Sequence, residues 1–436
     1  MGKLAIIADD LSSATDCGIQ MAKNGLQTHV PFAWSEISSA AQAADVVSID
    51  TDSRALPAIE AYKRVKNAAR LVAAAGFSHV YKSMDSTLRG NLGAEVDAVL
   101  DVLHVDLAAV APAFPLYGRT TLNGKHSLNG KPINTTEFAT DPQCPVRDDD
   151  LVRLFASQSR RKVGLVPLGV LREGNRAVAR LLATLIAQKV GLAVFDAEVE
   201  GDLDRIAGGV AAAGLNVLWV GSTGLARCIP GALGMHAENA PRPRHLGATD
   251  RVLLVVGSAS ETTRRQLYNL LQEREVAAVE LNPLNVIADA HEANCEIERC
   301  RTHLVDALSQ GKDVVLCVAS SRSAVGVAQS MGKQMGLSPL EVASKIVNAL
   351  GHITQRVHEA CELRGIVVTG GDTAKAVCGH LGSTGIRIWD EVEPGIALGQ
   401  LVGAHEILLV TKAGAFGTPQ ALVKSVDALK GESCRP

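Results

Sequence analysis

The 436-residue sequence is poor in aromatic residues and has no long apolar run. Aromatics make up 3% of the chain, so aliphatic side chains must build the core. No stretch approaches the ~20 consecutive apolar residues that a transmembrane helix needs. The first apolar run, Leu4–Ala8, ends in two carboxylates, which is typical of a buried strand and not of a signal peptide. The formal net charge of -3 offers no basic surface for nucleic acid or an anionic membrane.

Several short signatures are missing as well. The nine cysteines are scattered without a CxxC pair, and no HExxH occurs, so we expect reduced thiols in a cytoplasmic protein. Neither the P-loop pattern GxxxxGK[ST] nor the dinucleotide fingerprint GxGxxG is present. The first absence excludes a P-loop protein, and the second argues against an oxidoreductase that uses NAD.

What the sequence does contain is an alternation of short apolar runs and longer amphipathic ones. Strands are predicted at 4–9, 45–50, 79–84 and 107–114, each followed by a helix or a long connection. This repeated pattern predicts a mainly parallel sheet flanked by helices. The stretch 111–146 is rich in Pro, Gly and Asn and has no periodicity, which is typical of a functional or disordered loop.

The alternation stops between Met235 and Asp250 and then restarts. We therefore expect two α/β domains, residues 1–240 and 250–436, with the active site in the cleft between them. In the second domain, Ser338, Pro339 and Glu341 have the spacing of a capping box at the start of a long helix.

Polar side chains gather where four strands of the first domain are predicted to end. Asp9-Asp10, 50–54 and 82–89 follow three of these strands, and the aperiodic stretch follows the fourth. Ligands of parallel sheets bind beyond the carboxyl ends of the strands. Arg54, Lys82 and Arg89 are candidates to meet a carboxylate on the ligand.

The second domain has three turns rich in Gly, Ser and Thr at predicted strand ends: 257–260, 369–373 and 412–417. A glycine turn that opens a helix presents backbone N–H groups at the positive end of the helix dipole, where phosphate binds. One such turn is weak evidence, but three at one sheet edge favour a nucleotide phosphate chain. A kinase needs groups that bind the phosphates of ATP, and it needs a carboxylate and cations near the acceptor hydroxyl. The second domain supplies the former and the first domain the latter.

Seven segments in order along the chain resemble the four-carbon acid sugar kinases: IADDLSSATD, DTDSR, YKSMDSTLRGNLGAE, APAFPLYGR, VTGGDTAKAV, PGIALGQL and TKAGAFG. Members of this family phosphorylate the terminal 4-hydroxyl of D-threonate, D-erythronate or 3-oxo-tetronates with ATP. The resemblance implies an N-terminal acid-sugar-binding domain and a C-terminal nucleotide-binding domain. D-threonate is the first expectation for the substrate, and D-erythronate and 3-oxo-tetronates are the alternatives. The resemblance extends from residue 5 to residue 417.

The resemblance implies roles for individual residues. The residues it implies at the sugar acid are Asp9, Asp10, Arg54, Lys82, Ser83, Met84 and Asp85, and Arg89 is added because it lies in the same loop. Those expected at ATP are Ser258, Gly370, Gly371, Asp372, Thr373 and Gly414. Asp85 or Asp10 would orient and deprotonate the hydroxyl, and Lys82 would assist catalysis with its charge. Mg²⁺ is expected with ATP, but its protein ligands are not predicted, and a homodimer is expected only from the size of the chain.

Two departures from the family pattern concern substrate preference and the last turn. Ser12 and Ser13 follow Asp9-Asp10-Leu11 where Thr-Gly is usual, and Ala413 and Ala415 flank Gly414 where Ser and Asn (or Gly) are frequent. Neither change removes a charged group. An NAD-dependent oxidoreductase and a non-catalytic sugar-acid-binding protein are the alternatives from other classes.

Overall fold

The computed structural model describes residues 2–141, 143–235, 245–247, 250–258, 260–318, 322–414 and 416–431, without the side chains of 322–325. Ala259, Ala415 and most of the predicted linker lie outside the described residues. The chain divides into two compact units, Met1–Pro241 and Arg242–Pro436.

The first unit is a parallel sheet covered by helices. Its strands are β1 (Leu4–Ala8), β2 (Thr28–Pro31), β3 (Val46–Asp50), β4 (His79–Ser83), β5 (Leu107–Ala111), β6 (Arg119–Leu122), β7 (Lys125–Leu128), β8 (Lys131–Pro132), β9 (Lys162–Val166), β10 (Val190–Phe195) and β11 (Val217–Gly221). Its helices are α1 (Leu11–Lys23), α2 (Ile37–Ala43), α3 (Ala58–Ala74), α4 (Leu92–Leu100), α5 (Leu151–Gln158), α6 (Leu168–Arg172), α7 (Asn175–Ala187), α8 (Glu200–Ala212), α9 (Thr223–Ala226) and α10 (Ile229–Ala232).

The strand order of this sheet is β2-β3-β1-β4-β11-β5-β10-β9, and the neighbouring strands pair in parallel. β1 is buried along its whole length, as expected for a central strand with helices on both faces. Two apolar clusters form the core, one on each side of the sheet; Tyr81 belongs to the first and Val80 to the second. Successive side chains of a strand point to opposite faces, which explains this division.

The second unit also contains a mainly parallel sheet. Its strands are β12 (Val252–Val256), β13 (Val276–Leu281), β14 (Asp313–Val318), β15 (Gly365–Thr369), β16 (Ser383–Glu393), β17 (Ile396–Gly403) and β18 (Leu408–Lys412). Its helices are α11 (Glu261–Glu273), α12 (Pro283–Ile287), α13 (Ala290–Ser309), α14 (Arg322–Gln334), α15 (Pro339–Cys361), α16 (Gly371–His380) and α17 (Ala421–Lys430).

Within this unit the strand order is β13-β14-β12-β15-β18-β17-β16, and β16, β17 and β18 pair in antiparallel fashion. The capping box at the start of α15 is confirmed: Ser338 Oγ accepts a hydrogen bond from the Glu341 N–H, and the Glu341 carboxylate accepts one from the Ser338 N–H. The α/β fold class is confirmed for both units. In the described part of the chain, no helix has the length and apolar character needed to cross a bilayer.

The expectation of an aperiodic loop at 111–146 is wrong in part. β6, β7 and β8 form a small antiparallel sheet in this stretch, with Arg119 opposite Leu128 and Thr121 opposite His126. Its strands are too short and too polar to produce a recognisable alternation. Positive φ angles at Asn123 and Asn129 mark the turns that join them.

Candidate active site

Three of the predicted polar clusters meet at one edge of the first sheet. Asp9-Asp10 follow β1, 51–54 follow β3 and 84–89 follow β4, and these three strands are neighbours in the order β3-β1-β4. Because the strands are parallel, their carboxyl ends lie side by side. The sequence therefore located this cluster correctly.

Arg54 is held by both acidic residues that follow β1. Its Nε and one terminal nitrogen donate to the two oxygens of Asp9 at 2.7 and 3.0 Å, and its other terminal nitrogen lies 2.6 Å from Asp10 Oδ2. Asp10 also caps α1, since its Oδ1 accepts the Ser13 N–H at 2.7 Å. Burial raises the pKa of Asp10, with Arg54 opposing this shift and Asp9 adding to it.

Lys82 lies deeper and is neutralised by a residue that sequence reasoning missed. Its Nζ is 2.8 Å from Glu95 Oε2, and the two side chains are 1% and 3% exposed. Glu95 also accepts a hydrogen bond of 2.7 Å from Ser53, the residue before Arg54. The pair thus links the loop after β4 to the loop after β3. Glu95 ends the segment LGAE of the family pattern, but its spacing from Lys82 along the chain did not indicate that the two residues pair.

The side chains of Ser83 and Met84 are buried as well, at 1% and 4% exposure. Ser83 Oγ lies 3.3 Å from Cys17 Sγ, and the Met84 N–H donates to the Gly221 carbonyl at 2.9 Å. These two predicted site residues therefore shape the strand end, and their side chains do not face solvent.

Asp85 keeps one oxygen available. Thr87 Oγ1, Arg89 Nε and the Arg89 N–H all donate to Oδ2, whereas Oδ1 accepts no hydrogen bond from the described residues. Burial opposes ionisation of Asp85, but Arg54 and Arg89 outweigh it and hold the pKa of this carboxyl well below its usual range. Asp85 is therefore an ionised acceptor at neutral pH.

The small antiparallel sheet contacts this loop through His126, a residue that sequence reasoning also missed. His126 is fully buried; its Nδ1 lies 2.9 Å from Thr121 Oγ1 and its Nε2 lies 2.9 Å from the Ser86 carbonyl. Burial lowers the pKa of His126 to about 4, so the ring is neutral. Thr121 therefore donates to Nδ1, while Nε2–H donates to Ser86.

In the second unit, the three glycine turns converge. β12, β15 and β18 are neighbours and parallel, so the turns after them share one edge. A Cβ on Gly257 would lie 2.0 Å from Thr373 Oγ1, and one on Gly414 would lie 2.1 Å from Ser258 Oγ. The turns pack too closely for side chains at these two positions.

Two helices of eight residues or more begin at this edge, α11 after Ser260 and α16 after Gly370. Gly371 and Asp372 lie in the first turn of α16, where Asp372 is exposed and Thr373 is buried. The first N–H groups of both helices have no partner within their own helix. Together with the turns they form a surface suited to a phosphate chain.

Lys412 fixes the last of the three turns and was not predicted as a site residue. Its Nζ donates to the carbonyls of Ala413 at 2.9 Å and Gly414 at 3.4 Å. Ser260 Oγ and Thr263 Oγ1 donate to the same Gly414 carbonyl. Burial lowers the pKa of Lys412 to about 8, with Glu393 opposing the shift.

Comparison with known proteins agrees with this division of chemistry. A family model described as a sugar-binding N-terminal domain matches residues 4–229, and one described as a nucleotide-binding C-terminal domain matches residues 253–422. A D-threonate kinase of Salmonella typhimurium LT2 is 34% identical over 99% of both chains. This chain belongs to the four-carbon acid sugar kinase family.

Other relatives extend the same comparison. A D-erythronate kinase of Heliobacterium modesticaldum is also 34% identical and covers 98% of this chain and 97% of its own. A crystal structure of a Salmonella typhimurium LT2 protein described as a tRNA synthase has a TM-score of 0.81 at 25% identity, covering 98% of this chain and 99% of that one. The likeness to the family of sugar-acid kinases therefore spans both units.

Within the described residues, no group of three or more His, Cys, Asp or Glu side chains could hold a metal ion. Neither unit therefore contains, in its described part, a ready-made protein cage for Mg²⁺.

Proposed function

We propose that this protein transfers the terminal phosphoryl group of ATP to the 4-hydroxyl of a four-carbon sugar acid, with D-threonate as the first substrate. The observation that carries the proposal is the pairing of two chemistries in one chain. The first unit has an ionised carboxylate near cations, with one oxygen that accepts no hydrogen bond from the described residues, and the second has three glycine turns that converge at one sheet edge. The relatives named as D-threonate and D-erythronate kinases support the choice of acid.

Asp85 is assigned to the acceptor hydroxyl. Its free Oδ1 would accept the hydrogen bond of the 4-hydroxyl and later take its proton. A low pKa makes it a weak base, but phosphoryl transfer passes through a loose transition state in which orientation matters more than early proton removal. Asp10 is the alternative base: its pKa is raised, but both its oxygens are already engaged, by Ser13 and by Arg54.

The other residues of the first edge would line the pocket. Arg54 and Asp9 form a rigid bidentate pair beside Asp10, and Lys82 supports the loop that carries Asp85. In the second unit, Ser258, Gly370, Gly371, Asp372, Thr373 and Gly414 are assigned to ATP. Mg²⁺ would arrive with the nucleotide, whose phosphates supply most of its ligands. We also expect a cytoplasmic homodimer.

A coupled assay of ADP release with a panel of acids tests the proposal. D-threonate, D-erythronate and 3-oxo-tetronates should each be compared with D-gluconate and with no acceptor. We expect ADP release that depends on a four-carbon acid and on Mg²⁺. No ADP with any tetronate would end the kinase assignment, and binding of an acid without turnover would favour a sugar-acid-binding protein.

A further inference from the structure

The cations predicted to hold the substrate carboxylate already have carboxylate partners within the chain. Each forms an ion pair of 2.6 to 2.8 Å: Arg54 with Asp9 and Asp10, Lys82 with Glu95, and Arg89 with Asp85. A sugar acid that bound to these cations would compete with carboxylates that are fixed in place. The pocket therefore needs a cation of its own for the negative end of the substrate.

Arg119, the first residue of β6, has no carboxylate partner among the residues that the structure describes. Its backbone pairs with Phe114, donating at 3.1 Å and accepting at 2.8 Å, and its guanidinium lies over the Tyr117 ring, 5.7 Å from the centroid. Among the described residues it makes no ion pair and no side-chain hydrogen bond, and its buried Nε lacks an acceptor. A buried donor without an acceptor is rare in native proteins and calls for an explanation.

The small antiparallel sheet determines which way Arg119 faces. Arg119 and Thr121 are two positions apart on β6, so their side chains share one face. Thr121 contacts His126 on that face, and His126 donates to the Ser86 carbonyl, next to Asp85. The face that carries Arg119 is thus the face turned towards the loop after β4.

The charges around Arg119 agree with this placement. Burial lowers the pKa of the guanidinium; the carboxylate of Asp85 opposes the shift and the cation of Arg89 adds to it. All three groups therefore lie within electrostatic range of one another. A four-carbon acid is short, so its carboxylate and its 4-hydroxyl must be met by groups that are close together.

We propose that Arg119 binds the carboxylate of the sugar acid and is the residue that selects acids over neutral polyols. This inference rests on the proposed function, because it takes a sugar acid as the ligand. The guanidinium has N–H donors in a planar fork that matches a carboxylate, and an anion would supply the acceptor that Nε lacks. The carboxylate end then lies at Arg119 and the hydroxyl end at Asp85.

The test measures binding separately from turnover. Affinities for D-threonate, D-erythronate and the neutral polyol threitol are determined by calorimetry for the parent protein, Arg119→Gln, Arg119→Lys and the control Arg70→Gln. Arg70 is an exposed arginine on α3 whose side chain contacts Asn67. Melting temperatures of all variants establish that they are folded, and Arg119→Lys keeps the charge if the Gln variant does not fold.

For Arg119→Gln we expect the affinity for the acids to fall about 10- to 100-fold, as for loss of a charged hydrogen-bonded contact. Arg119→Lys should recover part of this loss, and the KM for ATP should not change. Threitol should bind the parent and Arg119→Gln equally weakly, and Arg70→Gln should match the parent throughout. Unchanged acid affinity in Arg119→Gln would overturn the proposal while leaving the kinase assignment intact.

The two proposals fail in different ways. If the parent binds the acids but releases no ADP, the proposed function fails, and the Arg119 variants still decide the carboxylate site through binding. If the parent binds none of the acids, the role of Arg119 is overturned together with the proposed function.

Discussion

Lys82 and Glu95 form an ion pair of 2.8 Å in which neither side chain is more than 3% exposed. Removing one partner of such a pair leaves an uncompensated buried charge, which typically costs about 3–5 kcal/mol of stability. We therefore predict that Glu95→Gln lowers the free energy of unfolding by roughly that amount. Urea denaturation followed by circular dichroism measures it.

The double variant Lys82→Met/Glu95→Gln is the matched control, because it removes both charges. It should recover part of the stability that Glu95→Gln loses, since no buried charge is left unpaired. The single variant Lys82→Met completes the comparison. If the losses of stability in Lys82→Met and Glu95→Gln simply added up in the double variant, the two residues would act independently and the structural role of the pair would be wrong.

The assignment of Asp85 as the group that orients the hydroxyl predicts a large kinetic effect. Asp85→Asn should lower kcat by about 10²- to 10⁴-fold, as is typical for loss of a positioned proton acceptor. Asp10→Asn should have a smaller effect, because asparagine still caps a helix and Asp10 has no free oxygen. Steady-state ADP release at saturating substrates measures both.

Asp52→Asn is the control for these variants. Asp52 is an exposed acid in the neighbouring loop with a φ of 46°, a conformation that asparagine tolerates. It should retain parental kcat. Normal turnover in Asp85→Asn together with an inactive Asp10→Asn would reverse the assignment of the base.

Sequence reasoning located the strand ends but not the pairs that form there. The order of apolar and amphipathic runs predicted that Asp9, Arg54 and Asp85 would meet, because parallel strands end at a common edge. It assigned Arg54, Lys82 and Arg89 to the ligand and did not predict their carboxylate partners within the chain. The internal partner of a charge depends on the angles between elements, and spacing along the chain does not encode these angles.

The stretch around Arg119 shows the same limit. β6, β7 and β8 are short and polar, and His126 of β7 forms a hydrogen bond with the Ser86 carbonyl outside the small sheet. A hydrophobic period cannot reveal such strands. The antiparallel pair β16 and β17 was likewise not predicted, since its bulges interrupt the alternation of side chains.

His126 predicts a dependence of stability on pH. Its pKa of about 4 in the folded protein lies below the 6.5 of an unfolded chain, so the unfolded state binds more protons between these values. The contribution of neutral His126 to the free energy of unfolding is about 3 kcal/mol. It is fully present above pH 6.5 and is lost as the pH falls towards 4.

His126→Gln supplies the comparison, since glutamine does not titrate and its amide can still donate to the Ser86 carbonyl. Between pH 7.0 and pH 4.5 the free energy of unfolding should decrease more for the parent protein than for His126→Gln. Equal losses in the two proteins would contradict a buried, neutral His126.

Gly414 tests the nucleotide edge. A Cβ at this position would displace Ser258 Oγ, and the strain of such overpacking is about 1–3 kcal/mol. We predict that Gly414→Ala raises the KM for ATP about tenfold or more, with the KM for the sugar acid unchanged. Gly379→Ala in α16 is the control, because a Cβ there has no neighbour within 4 Å. If Gly414→Ala raised only the KM for the sugar acid, the assignment of Gly414 to ATP would be wrong.

The proposed function requires that a phosphoryl group passes from ATP to the far hydroxyl of a four-carbon acid. Phosphorus-31 and proton NMR spectra of the products formed from D-threonate, ATP and Mg²⁺ show which hydroxyl carries the phosphate. We predict a phosphomonoester whose phosphorus is coupled to the C4 methylene protons, in amounts equal to the ADP formed. Release of inorganic phosphate without an ester, or an ester on C2 or C3, would contradict this prediction.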